Sequence, residues 1–325
     1  MPKVTIIVLN WNGLTDTLAC LESLMRLDAA DACEVLVVDN GSTDGSPDAI
    51  RNRFPDVTLV ETGENLGFTG GNNVGLQWAL ERGSDYALLL NNDTEVAPDF
   101  MRRLIQTAET DPQIGIAGPT IYYYEQPQTV WSAGGGIDRQ RGTTWMVGLD
   151  DRDVGQFGET PREMDFVTGC ALLIKRDVLQ KVGLLDDRFF AYYEDAEWCV
   201  RVQRAGFKIV HVPTAKIWHK IPLDARESSA RVYYYMIRNR LLFLGATGAG
   251  LRPWLYALVG DYLRTWLSWT LLPKWRGKRL HRRIMLRAVG DAWRMRWGYV
   301  DPTIWLDRSA STHSRVHSAS GKETS

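Results

Sequence analysis

Apolar residues fall along the first ninety positions in short, nearly continuous blocks. Val4 to Leu9 is β-branched and of strand length. Blocks of this kind, buried on both faces, mark the strands of a parallel sheet. From Leu14 to Leu27 the pattern changes. Leu14, Leu18, Leu21, Leu24 and Met25 recur at helical period,. Glu34 to Val38 predicts a second strand. Ser46 and Pro47 then read as an N-cap and a first-turn proline opening a helix over 47–54,. Val57 to Glu61 predicts a strand, 72–82 a helix and 86–90 a strand. This β-α-β-α-β-α-β order, with short connections, predicts a mostly parallel sheet with helices on both faces and right-handed crossovers.

Polar segments follow each of these strands. They are Asn10-Trp11-Asn12-Gly13, the stretch Asp39 to Ser46, the stretch Glu64 to Asn73, and Asn91-Asn92-Asp93. Ligands of open α/β sheets sit beyond the carboxyl ends of the strands, so several such loops at one edge make a nucleotide-sized crevice. Asp93 stands where a carboxylate can hold a divalent cation against a phosphate. The competing reading is a plain turn before a helix at Pro98, with Asn and Asp present for turn chemistry. The first loop lacks the Gly-x-Gly-x-x-Gly turn of dinucleotide-binding domains, and no Walker phosphate loop occurs,.

Further on, 98–110 reads as a helix and Ile114 to Tyr124 as a strand. Residues 125–164 are irregular and include Gly134-Gly135-Gly136; a loop of that length is more often a binding loop than filler,. Strand character returns over Met164 to Lys175. Phe189 to Tyr193 runs into Glu194-Asp195 and a helix over 194–205 that ends near Gly206. Two short strands, 207–212 and 214–218, precede His219.

After Pro222 the composition shifts. Arg231 opens a helix reaching Leu244, and Gly245 to Gly250 breaks it. Trp254 to Leu272 is apolar and about 28 Å long as a helix. Asp261, Arg264, Thr265 and Ser268 form a polar stripe along it, which favours a helix lying in a membrane interface over one crossing it,. Lys274, Arg276, Lys278, Arg279, Arg282, Arg283 and Arg287 follow, then Trp293, Arg294, Arg296 and Trp297; cations with tryptophans suit an anionic leaflet,. Alternatively Trp266 and Trp269 pack on the rest of the chain or on a second subunit, as in a homodimer, and the cations form a solvated face. The expected organisation is 1–222 as a catalytic domain (halves 1–97 and 98–222), 223–300 as an amphipathic, basic helical region, and 301–325 as a disordered tail.

Composition adds boundaries. A net charge of −1 gives no reason to expect nucleic acid,. Four scattered cysteines fit a reduced, cytosolic chain, and the N-terminus enters a strand with no secretory signal,.

Taken together, these segments resemble glycosyltransferase family 2, of GT-A fold. The residues that carry the resemblance are Asn10-Trp11-Asn12; Val37 to Gly45; Asn65-Leu66-Gly67-Phe68 with Gly71-Asn72-Asn73; Asn91-Asn92-Asp93-Thr94; Gly169-Cys170-Ala171; and Tyr193 to Trp198. The combination looks most like the bacterial rhamnosyltransferase-like branch of cell-envelope polysaccharide assembly. One departure is that the family's Asp-x-Asp metal motif reads Asn91-Asn92-Asp93. The resemblance implies a GT-A sheet followed by a membrane-associating helical region. It implies transfer, with inversion, from a nucleotide-diphospho-sugar to a lipid-linked or polysaccharide acceptor at the cytoplasmic face of the cell membrane. dTDP-rhamnose is the first donor it suggests, with UDP-sugars open.

On that resemblance Asp39 clamps the nucleotide with help from Asp44, or else both cap their loop. Asn10, Asn12, Asn40 and Asn92 belong to the nucleotide side. Asn65, Gly71 and Asn73 line the phosphates, or else form a turn and helix cap. Asp93 binds Mg²⁺ or Mn²⁺ with His219 completing the shell, or His219 is structural. Asp195 is the general base and Glu194 supports the acceptor or the loop, or else the acidic pair merely caps the helix. A base at a helix N-terminus has its charged form favoured, so its pKa is expected not to be high. The reduced metal motif also admits a second reading, a non-catalytic sugar-nucleotide or glycan-binding subunit of a membrane assembly.

Overall fold

A computed structural model describes residues 2–28, 33–221, 229–301 and 303. The expected boundary at 222 and the tail beyond 303 lie outside the described residues. The first strands are β1 (Val4–Asn10), β2 (Cys33–Asp39), β3 (Thr58–Glu61) and β4 (Tyr86–Asn91), separated by α1 (Leu14–Leu24), α2 (Ser46–Arg53) and α3 (Gly67–Glu81). Next come β5 (Thr94–Val96), α4 (Phe100–Thr110), β6 (Ile114–Tyr123), β7 (Val130–Ser132), β8 (Gly135–Asp138), β9 (Thr143–Met146), β10 (Arg162–Glu163), β11 (Ala171–Lys175), α5 (Arg176–Val182), α6 (Glu194–Arg204) and β12 (Lys208–His219).

The main sheet runs β3-β2-β1-β4-β11-β6-β12-β10. The first four of these are mutually parallel, as the βαβ alternation requires, and β6 and β12 are parallel to each other. Between β4 and β6 lies β11, antiparallel to both. Side chains of β1 alternate between two cores: Val4, Ile6 and Val8 face α1, α2 and α4, and Ile7 faces α3. That double burial explains the nearly continuous apolar blocks.

Several elements differ from expectation. Of the strand expected over Met164 to Lys175 only Ala171–Lys175 is strand, the residues before it turning at Gly169-Cys170. Helix α3 starts at Gly67, not at 72, so the glycine-rich segment 67–71 is helical. Contact with the sheet overrides the poor helix propensity of glycine there. Segment 125–164 is not wholly irregular, since it supplies four short strands. The two strands expected around Pro213 are one strand, β12, whose pairing with β6 shifts register between Val212 and Lys216; the bulge takes up the proline,.

The last part is helical: α7 (Ala230–Ala246), α8 (Leu251–Leu255), a π-helical segment (Tyr256–Leu263), α9 (Arg264–Leu271), a 3₁₀ turn (Pro273–Lys278) and α10 (Arg279–Trp293). None of the described helices is long and apolar enough to cross a membrane. Helix α7 shares the core of α3, α5 and α6, and α10 seals its other side through Ile284, Met285 and Ala288. Trp254, Trp266, Trp269 and Trp297 pack on that core, not outward. Asp261 likewise turns inward from the expected polar stripe, accepting a 2.8 Å bond from the buried Arg240 guanidinium. What does face outward is a row at every fourth residue: Leu251, Leu255, Val259, Leu263, Leu267 and Leu271, each 41–72 % exposed. In a pure α-helix such a row would precess about 40° per step. The wider π turn over its middle brings it back to one face.

Gly75 of α3 backs onto β1: a Cβ there would sit 2.4 Å from Ile7 Cγ2. Gly75→Ala is expected to destabilise the fold by about 1–2 kcal/mol, overpacking outweighing the gain in helix propensity. Urea denaturation checks this, with a lower midpoint at unchanged slope.

Candidate active site

At the carboxyl ends of β2, β1 and β4 the strand tips are tied by one amide. Asn10 is fully buried. Its Nδ2 donates to Asp39 Oδ2 at 2.6 Å and Ser42 Oγ at 3.1 Å; its Oδ1 accepts from Thr17 Oγ1 at 2.7 Å, Gly13 N at 3.2 Å and Asn92 Nδ2 at 3.3 Å. Asp39 accepts a further bond from Ser42 N at 2.8 Å. Asn12, at a left-handed φ of 52°, accepts from Thr43 N at 2.7 Å. Asp44 accepts from Leu14 N at 2.9 Å and Ser46 N at 3.0 Å, joining the starts of α1 and α2. Asn40 donates to Gly67 O at 2.9 Å, and Asn65 accepts from Gly67 N at 2.8 Å, fixing the start of α3. Seven of the expected residues (Asn10, Asn12, Asp39, Asn40, Asp44, Asn65 and Asn92) therefore form one cross-linked edge. With strands about 4.8 Å apart, Asp39 lies about 10 Å from the tip of β4.

Gly71 and Asn73 do not join this edge. Because α3 begins early, both sit inside it. Gly71 backs onto Leu9 and Asn40, where a Cβ would come within 2.4 Å of Leu9 Cδ1. Asn73 turns toward the 183–190 segment, donating to Leu185 O at 2.9 Å and Asp187 Oδ1 at 2.6 Å. It lines a separate surface groove with Leu66, Trp78 and Asp187.

Beside the β4 tip opens a cleft of about 420 Å³. Asp93, His219, Glu194 and Asp195 all line it. His219, at the end of β12, is buried edge-on to Trp131, with Nε2 3.1 Å from Asp93 Oδ1. That oxygen and His219 Nδ1 are buried without a hydrogen-bond partner. The two side chains are within ion-pair range, and each presents an unsatisfied buried atom of the kind that ligates an ion. No cluster of three or more carboxylate, imidazole or thiol groups able to hold a metal occurs among the described residues. An ion here would complete its shell from phosphate oxygens and water, as hard divalent cations do. Burial disfavours charge on Asp93, yet His219 and Lys220 outweigh it and hold the carboxyl low. Burial also disfavours charge on His219, while Cys170 and Asp93 act to raise it. Cys170 is itself pushed up by burial and stays a neutral thiol, so the carboxylate is the effective partner and the shift is upward.

In the same cleft Asp195 accepts bonds from Gly169 N at 3.1 Å and Ala196 N at 2.7 Å. Its pKa is raised, because burial outweighs these bonds. The expected effect of the helix N-terminus is overturned by desolvation. Glu194 is 5 % exposed, and its Oε2 has no partner. Burial first and neighbouring Asp195 second push its carboxyl well above the ordinary range. Although adjacent on α6, both residues line one cleft. Trp131, Met146, Tyr192 and Met236 complete its walls. None of these four has a chemical signature in the sequence. Their source segments were visible: the long 125–164 stretch, the Tyr192-Tyr193 run and the helix after Arg231.

With this geometry in view, the comparisons define a class and then a family. The structural neighbours include a mannosyltransferase from Pyrobaculum calidifontis in complex with GDP-Man and Mn²⁺ (TM-score 0.57, 17 % identity, 90 % of this chain and 87 % of that one). They also include GalNAc-T7 with UDP, GalNAc and Mn²⁺ (TM-score 0.62, 15 % identity, 91 % and 58 %). The shared fold is GT-A. The family model described as glycosyl transferase family 2 matches residues 5–183, and the chain belongs to that family. It is 32 % identical over 201 residues to an N-acetylglucosaminyl-diphospho-decaprenol L-rhamnosyltransferase of Mycobacterium tuberculosis, covering 57 % of this chain and 66 % of the relative. It is 24 % identical over 226 residues to a dTDP-rhamnosyl transferase of Shigella flexneri, covering 65 % and 71 %.

A buried carboxyl with a raised pKa stabilises the fold fully only below its unfolded value, and that contribution is lost as pH rises through the folded one. Glu194→Gln is therefore expected to raise Tm by about 1–3 °C at pH 8. The gain should vanish near and below the unfolded value of 4.5. Calorimetry across that pH range tests it.

Proposed function

We propose that the protein is an inverting, metal-dependent glycosyltransferase. It moves a sugar, first of all rhamnose from dTDP-rhamnose, onto a lipid-linked acceptor at the cytoplasmic face of the cell membrane. The observation that carries the reading is that one cleft is lined by Asp93, His219, Glu194 and Asp195 together. Family membership and the activities of the two rhamnosyltransferase relatives support the donor class and the lipid-linked acceptor.

The edge built around Asn10 would take the nucleoside, with Asp39 and Asp44 fixing its loop. Asp93 and His219 would hold Mg²⁺ or Mn²⁺, which when bound offsets charge developing on the leaving diphosphate. Asp195 accepts the proton of the attacking acceptor hydroxyl. Burial raises its pKa toward that of a more effective base at neutral pH,. Glu194, kept protonated by burial and by Asp195, donates a hydrogen bond to the acceptor. A single base on the face opposite the diphosphate leads to inversion at the anomeric carbon.

Outside the cleft, the exposed row from Leu251 to Leu271 would enter the membrane interface. Exposed Lys274, Arg276, Arg279, Arg283 and Arg287 follow it in sequence, so the apolar row and anionic headgroups would be engaged together,.

Asp195→Asn is expected to lower transfer from dTDP-rhamnose to a short-chain N-acetylglucosaminyl-diphospho-prenol by about 10³-fold. The thermal shift given by the donor with Mn²⁺ should be preserved. EDTA should abolish transfer, and added Mn²⁺ or Mg²⁺ should restore it. A variant that keeps most of its turnover removes Asp195 from the role of base, and donor-independent behaviour favours a binding subunit. Replacing dTDP-rhamnose by UDP-sugars in the same assay discriminates the donor.

For the membrane, truncation at Gly250 is a poor test because it strips α10 from the core. Leu255→Glu with Leu263→Glu should instead abolish co-flotation with phosphatidylglycerol vesicles while leaving Tm unchanged. Flotation that persists refutes docking through the row. Failure of the unaltered protein to float, together with dimeric mass lost in the variant, assigns the row to a homodimer.

A further inference from the structure

The segment leading into Glu194-Asp195 has an unusual backbone. Phe190, Tyr192 and Tyr193 have φ of 65°, 72° and 73°. That is the left-handed region, uncommon for any residue but glycine and outlying for bulky side chains. Three such residues within four positions do not hold themselves; surrounding groups must over-determine them.

Those groups come from α7. Asn239 is fully buried, and its Nδ2 donates to Phe189 O at 2.8 Å, Ala191 O at 2.6 Å and Tyr192 O at 2.9 Å. An amide carries two hydrogens, so at least one is shared among these three carbonyls. Its orientation is fixed from behind: Arg238 Nε donates to Asn239 Oδ1 at 3.0 Å, which leaves Nδ2 facing the segment. Arg238, also fully buried, donates to Phe189 O at 3.2 Å and to Gly298 O at 2.8 Å. The remaining carbonyl, Phe190 O, accepts from Phe68 N at 2.7 Å and Thr69 N at 3.2 Å at the start of α3. Four consecutive carbonyls are thus held by donors outside the segment. Three of them converge on one side chain from a helix that contributes none of the four charged groups of the cleft.

We infer that Asn239 is a positioning residue for transfer. Acting through residues 189–193, it sets the direction in which Glu194 and Asp195 leave the start of α6. Arg238 sets Asn239. Asn239 itself makes no bond to the Asn10 network. The neighbour of that network on α7 is Arg231, over the Trp11 ring at 5.5 Å and about two helical turns away, so donor binding is expected to be the less affected step,. The inference deepens the reading of Asp195 as base and rests on it for its catalytic consequence.

The test is a double-mutant cycle in the full chain between Asn239→Ser and Tyr192→Gly, since glycine adopts the left-handed conformation without strain. Two readouts are taken: hydrogen exchange of amides 189–196, and kcat and KM with dTDP-rhamnose, Mn²⁺ and the prenol acceptor. Asn239→Ser is expected to speed exchange in 189–196 by about tenfold or more while β1 to β4 stay protected. It should lower kcat by about tenfold or more, with donor KM within about threefold. In the Tyr192→Gly background both losses should shrink by about threefold or more. Unchanged exchange in 189–196 overturns the inference, as does a loss of the same size in both backgrounds, or a protein unfolded in both. Folding restored by Tyr192→Gly supports it. Should the unaltered protein not use this donor, or should Asp195→Asn stay active, the proposed function fails, and the exchange cycle alone decides the role of Asn239.

Discussion

A single buried amide does most to make the candidate site a site. The tips of three parallel strands end in polar residues that would repel or hydrate one another if left free. Asn10 satisfies them together, with two donors toward the β2 loop and an acceptor toward α1 and Asn92. Burying such a group without partners would cost several kcal/mol, of order 2–7. Fully partnered, it fixes the edge at which the β4 turn presents Asp93. The loops can then be irregular in sequence and still rigid in space.

The central sheet was legible because parallel strands are buried on both faces, and Val4 to Leu9 or Tyr86 to Leu90 have few polar interruptions. The strand tips were legible for the complementary reason: Asp39, Asn91 and Asp93 interrupt those blocks sharply. Local reasoning failed where tertiary contact overrode propensity. The glycines at 67–71 look like loop, yet they are helical, their missing side chains admitting Phe190 at Gly67 and Leu9 and Asn40 at Gly71. Pro213 looks like a break, yet β12 passes it by a register shift. Asn239 and Arg238 were invisible in the same way, since nothing local distinguishes a buried Arg-Asn pair from a solvated one in a helix. In the tail the aromatic and charged residues drew attention, while the leucines that face outward are common residues whose spacing alone is informative.

Two features of the cleft oppose stability. Glu194 is buried beside the half-buried Asp195, and the segment before them holds three non-glycine residues at positive φ. Each such backbone conformation costs on the order of 1–3 kcal/mol. The compensation is distributed over α3, α7 and α10, which pack behind the segment as one core. That is why the helical region after residue 229 is not an appendage. It closes the interior on which the acidic pair rests, and the Arg240–Asp261 pair extends the same body out to the helix that bears the leucine row.

On the proposed docking, an apolar row six side chains long would do more than attach. One hydrophobic anchor would let a protein swivel; a line of anchors defines an axis and a roll angle. Because the π turn keeps the row from spiralling, a molecule seated on a bilayer through it has one way up. Its cleft would then open at a constant height above the headgroups, and only acceptors whose reactive hydroxyl projects to that height would be within reach. Selection of acceptor by reach would thus be written into a helix whose side chains never touch the sugar.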